Sequence, residues 1–177
     1  ISNAAKKAFK IIVATNKDKE LIEKFYSTDK KSTLIQPYIP SLPFIHESSI
    51  NNDLNKIYKG LNINFENYLF YPAQFWPHKN HRFIVDAVEK YNEDNSKKIN
   101  VVFCGSDKGN MKYIKQTIKQ KNLEDNFKFI GFISDAEVIA LYKHSKALFM
   151  PTYVGHSSLP MYEAFYFKVP VIYTKNL

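Results

Sequence analysis

Two stretches of this sequence gather side chains that handle anions and hydroxyl groups. The first is Tyr71-Pro72-Ala73-Gln74-Phe75-Trp76-Pro77-His78-Lys79-Asn80-His81, lying between an apolar run and a helical pattern that begins near Arg82. Asn80 or His81 is positioned to cap that helix. The free amides of a first helical turn attract an anion, and Lys79 would reinforce them as a mobile point charge, so a phosphate or pyrophosphate is the ligand suggested. The second stretch runs from Pro151 through Gly155, His156, Ser157 and Ser158 to Leu159, Pro160, Glu163 and Ala164. Gly155 permits a tight turn or a close backbone approach, Ser157 or Ser158 suits an N-cap, and Pro160 is tolerated in the first turn. Glu163 falls about one turn into the helix, where a carboxylate can accept two hydrogen bonds from vicinal hydroxyls such as those of a ribose. Each feature also has a plainer reading: a lysine in a loop is commonly solvated, and a glutamate near a helix start is favoured by the helix dipole.

Other reactive residue types point to less. His78, His81 and His156 fall in these loops without the spacing of a zinc site, so no metal is expected. Cys104 is the only cysteine. It cannot form an intramolecular disulfide and reads as a small apolar residue at a strand end, in a reducing cytoplasm. Gly105-Ser106-Asp107-Lys108-Gly109-Asn110 lacks the glycine spacing of a dinucleotide site. The formal charge of +8 comes almost wholly from lysine, with Arg82 the single arginine. Specific nucleic-acid reading favours the guanidinium fork, so no nucleic-acid partner is expected. Lys112, Lys115, Lys119 and Lys121 read as a solvated helix face.

The elements that must carry these loops follow from periodicity. Short runs rich in β-branched and aromatic residues at 68–71, 100–104, 127–130, 147–150 and 169–173 read as strands. Between them lie helical stripes: Phe83, Ile84, Ala87, Val88 and Tyr91; Met111, Ile114 and Ile118; Val138, Leu141 and Tyr142. Alternation of this kind predicts a parallel α/β sheet with helices on both faces and a ligand crevice beyond the carboxyl ends of the strands. Tyr162, Phe165, Tyr166 and Phe167 read mostly as core. Upstream, residues 11–15 and 32–35 are strand-like and 17–26 helical, with Leu21, Ile22 and Phe25 on one face. Pro37, Pro40 and Pro43 open a connector, and a domain boundary is placed there. The chain ends at Leu177 soon after a predicted strand, where a further helix is expected to cover the sheet. No apolar run reaches the roughly 20 residues that span a bilayer, and no signal peptide is evident at the N-terminus.

The two loops, with Gly105-Ser106, Phe129-Ile130-Gly131-Phe132-Ile133-Ser134 and Leu159-Pro160-Met161-Tyr162-Glu163-Ala164, resemble family 4 glycosyltransferases over roughly residues 66–174. The resemblance implies a Rossmann-like open parallel sheet, truncated at its C-terminus, forming the C-terminal half of a GT-B enzyme over residues 51–177. Residues 1–50 would be the end of the N-terminal domain and its linker. Carried over position by position, Lys79 would bind the donor pyrophosphate and Glu163 the ribose hydroxyls. Phe132 and Ile133 would hold the base, Gly105 would let the nucleotide approach, and Ser158 and Leu159 would offer backbone amides to the phosphates. Two positions depart from the pattern: Gln74 stands where many members carry an arginine, and Gly155 where many carry a second glutamate. Lys79 then bears more of the phosphate charge.

The expectation is a transferase that moves a hexose, with retention, from a UDP- or GDP-linked donor to an acceptor hydroxyl in bacterial lipopolysaccharide or capsule synthesis. No cofactor or metal is expected, since basic side chains and helix dipoles neutralise the leaving diphosphate. Catalytic groups that activate the acceptor would lie in the N-terminal domain. The partners expected are the nucleotide-sugar donor and a glycan or lipid-linked acceptor, with the lysines compatible with peripheral association at the inner face of a membrane. Alternatives are a GT-B-like sugar-nucleotide epimerase or hydrolase, and a non-catalytic polyanion-binding module.

Overall fold

A computed structural model of the chain describes residues 2–29, 31–39, 54–63, 67–154 and 159–175. Its first part holds helix α1 (Ser2–Lys7), strand β1 (Ile11–Val13), helix α2 (Asn16–Tyr26) and strand β2 (Thr33–Ile35), with β1 and β2 paired in parallel. Thr15 caps α2 by accepting a hydrogen bond from the Asp18 amide at 3.0 Å, and Ser27 closes it in the left-handed region. Leu21 and Ile22 are half-buried, but Phe25, expected on the same face, is exposed. A sheet of two short strands is too small to cover the whole apolar stripe of an eleven-residue helix. Most of the proline-rich connector falls on residues 40–53, outside the described residues.

The larger sheet contains β3 (Tyr68–Pro72), β4 (Asn100–Cys104), β5 (Phe127–Phe129), β6 (Ala147–Met150) and β7 (Val171–Tyr173). Their spatial order is β5-β4-β3-β6-β7 and every pairing is parallel. Leu69 of β3 stands opposite Val101 on one side and Ala147 on the other, so β3 is the centre of the sheet. Side chains of β3, β4 and β6 are almost entirely buried, as expected of parallel strands covered on both faces, whereas β7 at an edge is only half-covered. The strands end where their ladders lose donors or direction. Pro170 has no N–H, so β7 begins after it; Gly131 adopts φ +68° just beyond β5.

Five helices accompany this sheet among the described residues: α3 (Leu54–Gly60), α4 (His81–Asp94), α5 (Met111–Gln120), α6 (Asp135–His144) and α7 (Leu159–Tyr166). Right-handed crossovers put α4 and α5 on one face and α6 and α7 on the other. Ile84, Val85 and Val88 bury the inner stripe of α4, and Ile114, Thr117 and Ile118 that of α5. Phe83 and Tyr91 lie at the margins of their stripe and are exposed. A reciprocal capping box starts α6: the Glu137 amide donates to Ser134 Oγ at 3.4 Å and the Ser134 amide to Glu137 Oε2 at 2.8 Å. The aromatic residues of α7 are less buried than their pattern suggests. Only Ala164 of that helix is fully buried, while Phe165 and Tyr166, turned about 100° and 200° further around, are exposed.

Polar ties fasten the layers. The Tyr58 hydroxyl donates to that of Tyr68 at 3.0 Å, which donates in turn to the Leu141 carbonyl at 2.9 Å, joining α3, β3 and α6. Lys121 does not belong to the solvated lysine face. It lies just beyond α5 and pairs with Asp86, at 3.3 Å, and with Glu89 on α4. Arg82 donates to both oxygens of Asp86 at 2.9 Å and to the Tyr113 hydroxyl at 2.8 Å, so the single arginine is committed to the helix surface.

His81 opens α4 but does not cap it. Its ring is fully buried, stacked on Phe75 with centroids 4.2 Å apart and edge-on to Phe103 at 5.1 Å. Neither ring nitrogen has a partner in hydrogen-bond geometry among the described residues. Burial lowers its pKa to about 4, with the Lys79 charge adding to the effect and the nearby Ala73 carbonyl opposing it. The folded protein therefore holds His81 neutral while the unfolded chain protonates it near pH 6.5. Stability from this group is complete above about pH 6.5 and is lost as pH falls toward 4, by up to roughly 3 kcal/mol. Thermal unfolding followed from pH 7 to pH 4 should show this decline in the native protein and a shallower one in His81→Phe.

Candidate functional site

The strand order reverses between β3 and β6, because β4 and β5 extend the sheet on one side of β3 while β6 and β7 extend it on the other. In open α/β sheets such a switch point is where ligands bind, beyond the carboxyl ends of the strands. The loop after β3 is residues 73–80 and the loop after β6 begins at Pro151, so both chemistry-bearing stretches flank this point.

Their backbones are joined directly. The buried side-chain amide of Asn80 donates to the Pro151 carbonyl at 3.0 Å. The His78 carbonyl accepts from the Tyr153 amide at 2.9 Å and from the Thr152 hydroxyl at 3.1 Å. Asn80 stands at the N-cap position of α4 with φ +56°, and its side chain makes no capping bond. Spanning the two loops takes precedence over capping, and the left-handed backbone that this demands suits asparagine. Lys79, just before it, sits in a short 3-10 turn (Pro77–Lys79), and its carbonyl accepts from the buried Tyr71 hydroxyl at 2.9 Å. The Lys79 side chain is half-buried and has no carboxylate partner among the described residues. Burial lowers its pKa. A partly desolvated ammonium without a counter-charge is suited to receive an anion.

Gly105 follows β4 with φ +140°, and a Cβ there would lie 2.5 Å from the Ala73 carbonyl oxygen and 2.8 Å from the Gln74 nitrogen. The absent side chain lets the β4 loop press against the β3 loop, a contact continued by the Phe75 amide donating to the Ser106 carbonyl at 3.0 Å. The Gly105 amide donates to the Gly131 carbonyl at 2.8 Å and brings in the loop after β5. Three successive loops are thus held together by backbone contacts. Gln74 is exposed and accepts from Trp76 Nε1 at 3.0 Å. Phe132 is 91% exposed, whereas Ile133 is buried in the core, leaving Ile133 only its backbone to offer.

Across the switch point, Glu163 is half-buried on α7 and its Oε2 accepts from the Tyr142 hydroxyl at 2.9 Å. Burial raises its carboxyl pKa, and the charge of Asp135 adds to this, while the bond from Tyr142 opposes it. Leu159, the first residue of α7, is exposed. Gly155, His156, Ser157 and Ser158 lie outside the described residues. Cys104 is buried at the end of β4, and its thiol pKa is pushed up to about 12 by burial and the Glu137 charge, so it is not a nucleophile at neutral pH. No group of three or more metal-ligating side chains occurs among the described residues, nor is any helix there long and apolar enough to cross a membrane.

Residues Asn80, Thr152 and Tyr142 carry this geometry yet do not announce it in sequence. A signal for Tyr142 existed: a tyrosine on the buried stripe of a helix needs a polar partner for its hydroxyl.

Residues 55–177 match the model of the family described as glycosyl transferases group 1. No curated protein sequence matches the chain. Among solved structures, WaaG, a glycosyltransferase involved in lipopolysaccharide biosynthesis, superposes with a TM-score of 0.76 at 18% identity over 93% of this chain and 44% of its own. The Anabaena protein Alr3699/HepE in complex with UDP-glucose gives 0.78 at 17% identity over 97% and 46%. A glycosyltransferase from Rickettsia africae gives 0.77 at 16% identity over 97% and 47%. The chain spans less than half the length of each of these proteins, and at these identities the likeness is one of fold.

Two substitutions test the loop architecture. Asn80→Ala removes the link to Pro151 and puts alanine in the left-handed region, and it should cost roughly 2–4 kcal/mol by chemical denaturation, with Asn80→Gly about 1 kcal/mol milder. Gly105→Ala should cost roughly 2–5 kcal/mol, because the new methyl meets backbone atoms that cannot swing away.

Proposed function

The chain belongs to the glycosyl transferases group 1 family, and from that membership we propose that it binds the nucleoside diphosphate sugar used in glycosyl transfer, in the crevice between the loops of β3 and β6. The observation that carries this reading is the pair of groups on either side of the switch point: a half-buried Lys79 without a carboxylate partner among the described residues and a half-buried Glu163 carboxylate held by Tyr142. The lysine suits the diphosphate and the carboxylate suits the ribose diol.

In the reaction so read, an acceptor hydroxyl oxygen forms a bond to the anomeric carbon as the bond from that carbon to the diphosphate oxygen breaks, and the hydroxyl proton passes to the groups that activate the acceptor. Negative charge gathers on the departing diphosphate. Lys79 and the amides near the start of α4 stabilise that charge, and do so more strongly in a partly dewatered crevice than they would in water. Gln74 adds hydrogen bonding without charge, so the burden falls on Lys79. Phe132, with its exposed ring, offers a flat apolar surface for a base. The groups that activate the acceptor belong to a part of the enzyme outside residues 51–177, which form the donor domain in this reading. Residues 1–50 belong with the N-terminal domain. The proposal extends to a hexosyl donor, to retention at the anomeric carbon and to bacterial surface-glycan synthesis, a setting supported by the fold shared with WaaG.

Calorimetric titration of the chain with UDP, GDP and their sugar conjugates should show selective binding of one nucleotide. Lys79→Ala should raise its Kd about 10- to 100-fold, the effect of losing a charge-assisted contact to phosphate. Unchanged affinity in that variant would overturn the assignment of Lys79.

A further inference from the structure

Tyr142 belongs to α6 and Glu163 to α7, two helices that reach the same face of the sheet by separate crossovers. The phenol has one proton and two acceptors within reach: Glu163 Oε2 at 2.9 Å and the Pro160 carbonyl at 3.2 Å. A carboxylate is the stronger acceptor and lies nearer, so the proton goes to Glu163. The second carboxylate oxygen, Oε1, has no hydrogen-bond partner among the described residues.

The tyrosine is itself immobile. Its ring is fully buried, edge-on to Phe70 of β3 with centroids 5.1 Å apart at 88°, and tilted against Phe167 at 5.8 Å. Glutamate has three rotatable side-chain bonds, and a half-buried one that must meet a ligand diol loses that freedom on binding unless it is already held. Tyr142 anchors one oxygen to a ring packed on the central strand, and β3 also leads into the Lys79 loop. Both contacts therefore refer to the same rigid strand.

We propose that Tyr142 is a positioning residue for nucleotide recognition, holding Glu163 by one carboxylate oxygen so that the carboxylate is ready for the ribose hydroxyls. The proposal rests on the reading of Glu163 as the ribose contact. It predicts that Tyr142 contributes to recognition of the ribose hydroxyls and not to affinity in general.

Titrating the chain with UDP and with 2′,3′-dideoxy-UDP separates these effects, with GDP and 2′,3′-dideoxy-GDP used instead if guanine is preferred. The native protein should favour the ribonucleotide by about tenfold or more, the scale of hydrogen bonds to a charged acceptor. Glu163→Gln should abolish most of that preference. Tyr142→Phe keeps the ring and should weaken the ribonucleotide severalfold while leaving the dideoxy analogue unchanged, so that the preference shrinks. In Glu163→Gln/Tyr142→Phe the second substitution should add nothing to the loss of preference, and this double variant leaves no unpaired buried carboxylate to impair folding. A full preference in Tyr142→Phe, or equal weakening of both nucleotides, overturns the positioning role while leaving the Glu163 reading intact. A full preference in Glu163→Gln overturns the Glu163 reading, and the proposal with it.

Discussion

Strand β3 has a parallel neighbour on each side, and this arrangement governs the rest of the molecule. A chain that builds outward from β3 through β4 and β5 must cross back over the sheet to lay down β6, which places the loops after β3 and β6 side by side without a connecting ladder. Their backbone polar groups, withdrawn from water, must find other partners. They find each other through Asn80 and Pro151, and through His78 with Thr152 and Tyr153. The groups that the topology leaves unpaired thus become the links between the two loops at the switch point.

The electrostatics of the site follow from the same partial enclosure. Lys79 is disfavoured as a cation by burial, and Glu163 is disfavoured as an anion by burial and by Asp135. In the proposed donor site a diphosphate beside the lysine and hydroxyl donors beside the glutamate would relieve both penalties. Arg82 contributes nothing here, being fixed to Asp86 and Tyr113. The high net charge consequently says little about the loop after β3, in which Lys79 is the one lysine.

Gly105 shows how a motif position can have a structural reason beside a ligand-based one. The resemblance assigns it to nucleotide approach, while Ala73 and Gln74 backbone atoms occupy the space a side chain would fill. The two roles are compatible, since a loop pressed against its neighbour is also one that leaves the strand end open.

The alternation of strands and helices from β3 to β7, with Lys79 between β3 and α4 and Glu163 on the helix after β6, was legible in the sequence because hydrophobic periodicity and β-branched composition are local properties. Strand ends such as β4 and β6 agree to the residue. The failures share one cause: local pattern records that a residue is apolar or charged, while its surroundings depend on which element arrives from elsewhere. Phe165 and Tyr166 read as core by their spacing and Phe25 shares a helix face with Leu21 and Ile22, yet no neighbouring layer covers these three among the described residues. Lys121 was placed with the solvated face, but Asp86 and Glu89 come from another helix. Asn80 was assigned to the helix it precedes and is instead claimed by a carbonyl 71 residues away. Tyr142 was counted as apolar stripe, and its hydroxyl acquires a role only when α7 brings Glu163 to within 2.9 Å. The sequence by itself determined the strands of the larger sheet, the helices between them and the chemical types available to the site, but not α1 or α3. Tertiary structure alone decided which of those groups are paired, buried or left ready for a ligand, because hydrogen bonds and desolvation depend on distances between segments remote in the chain.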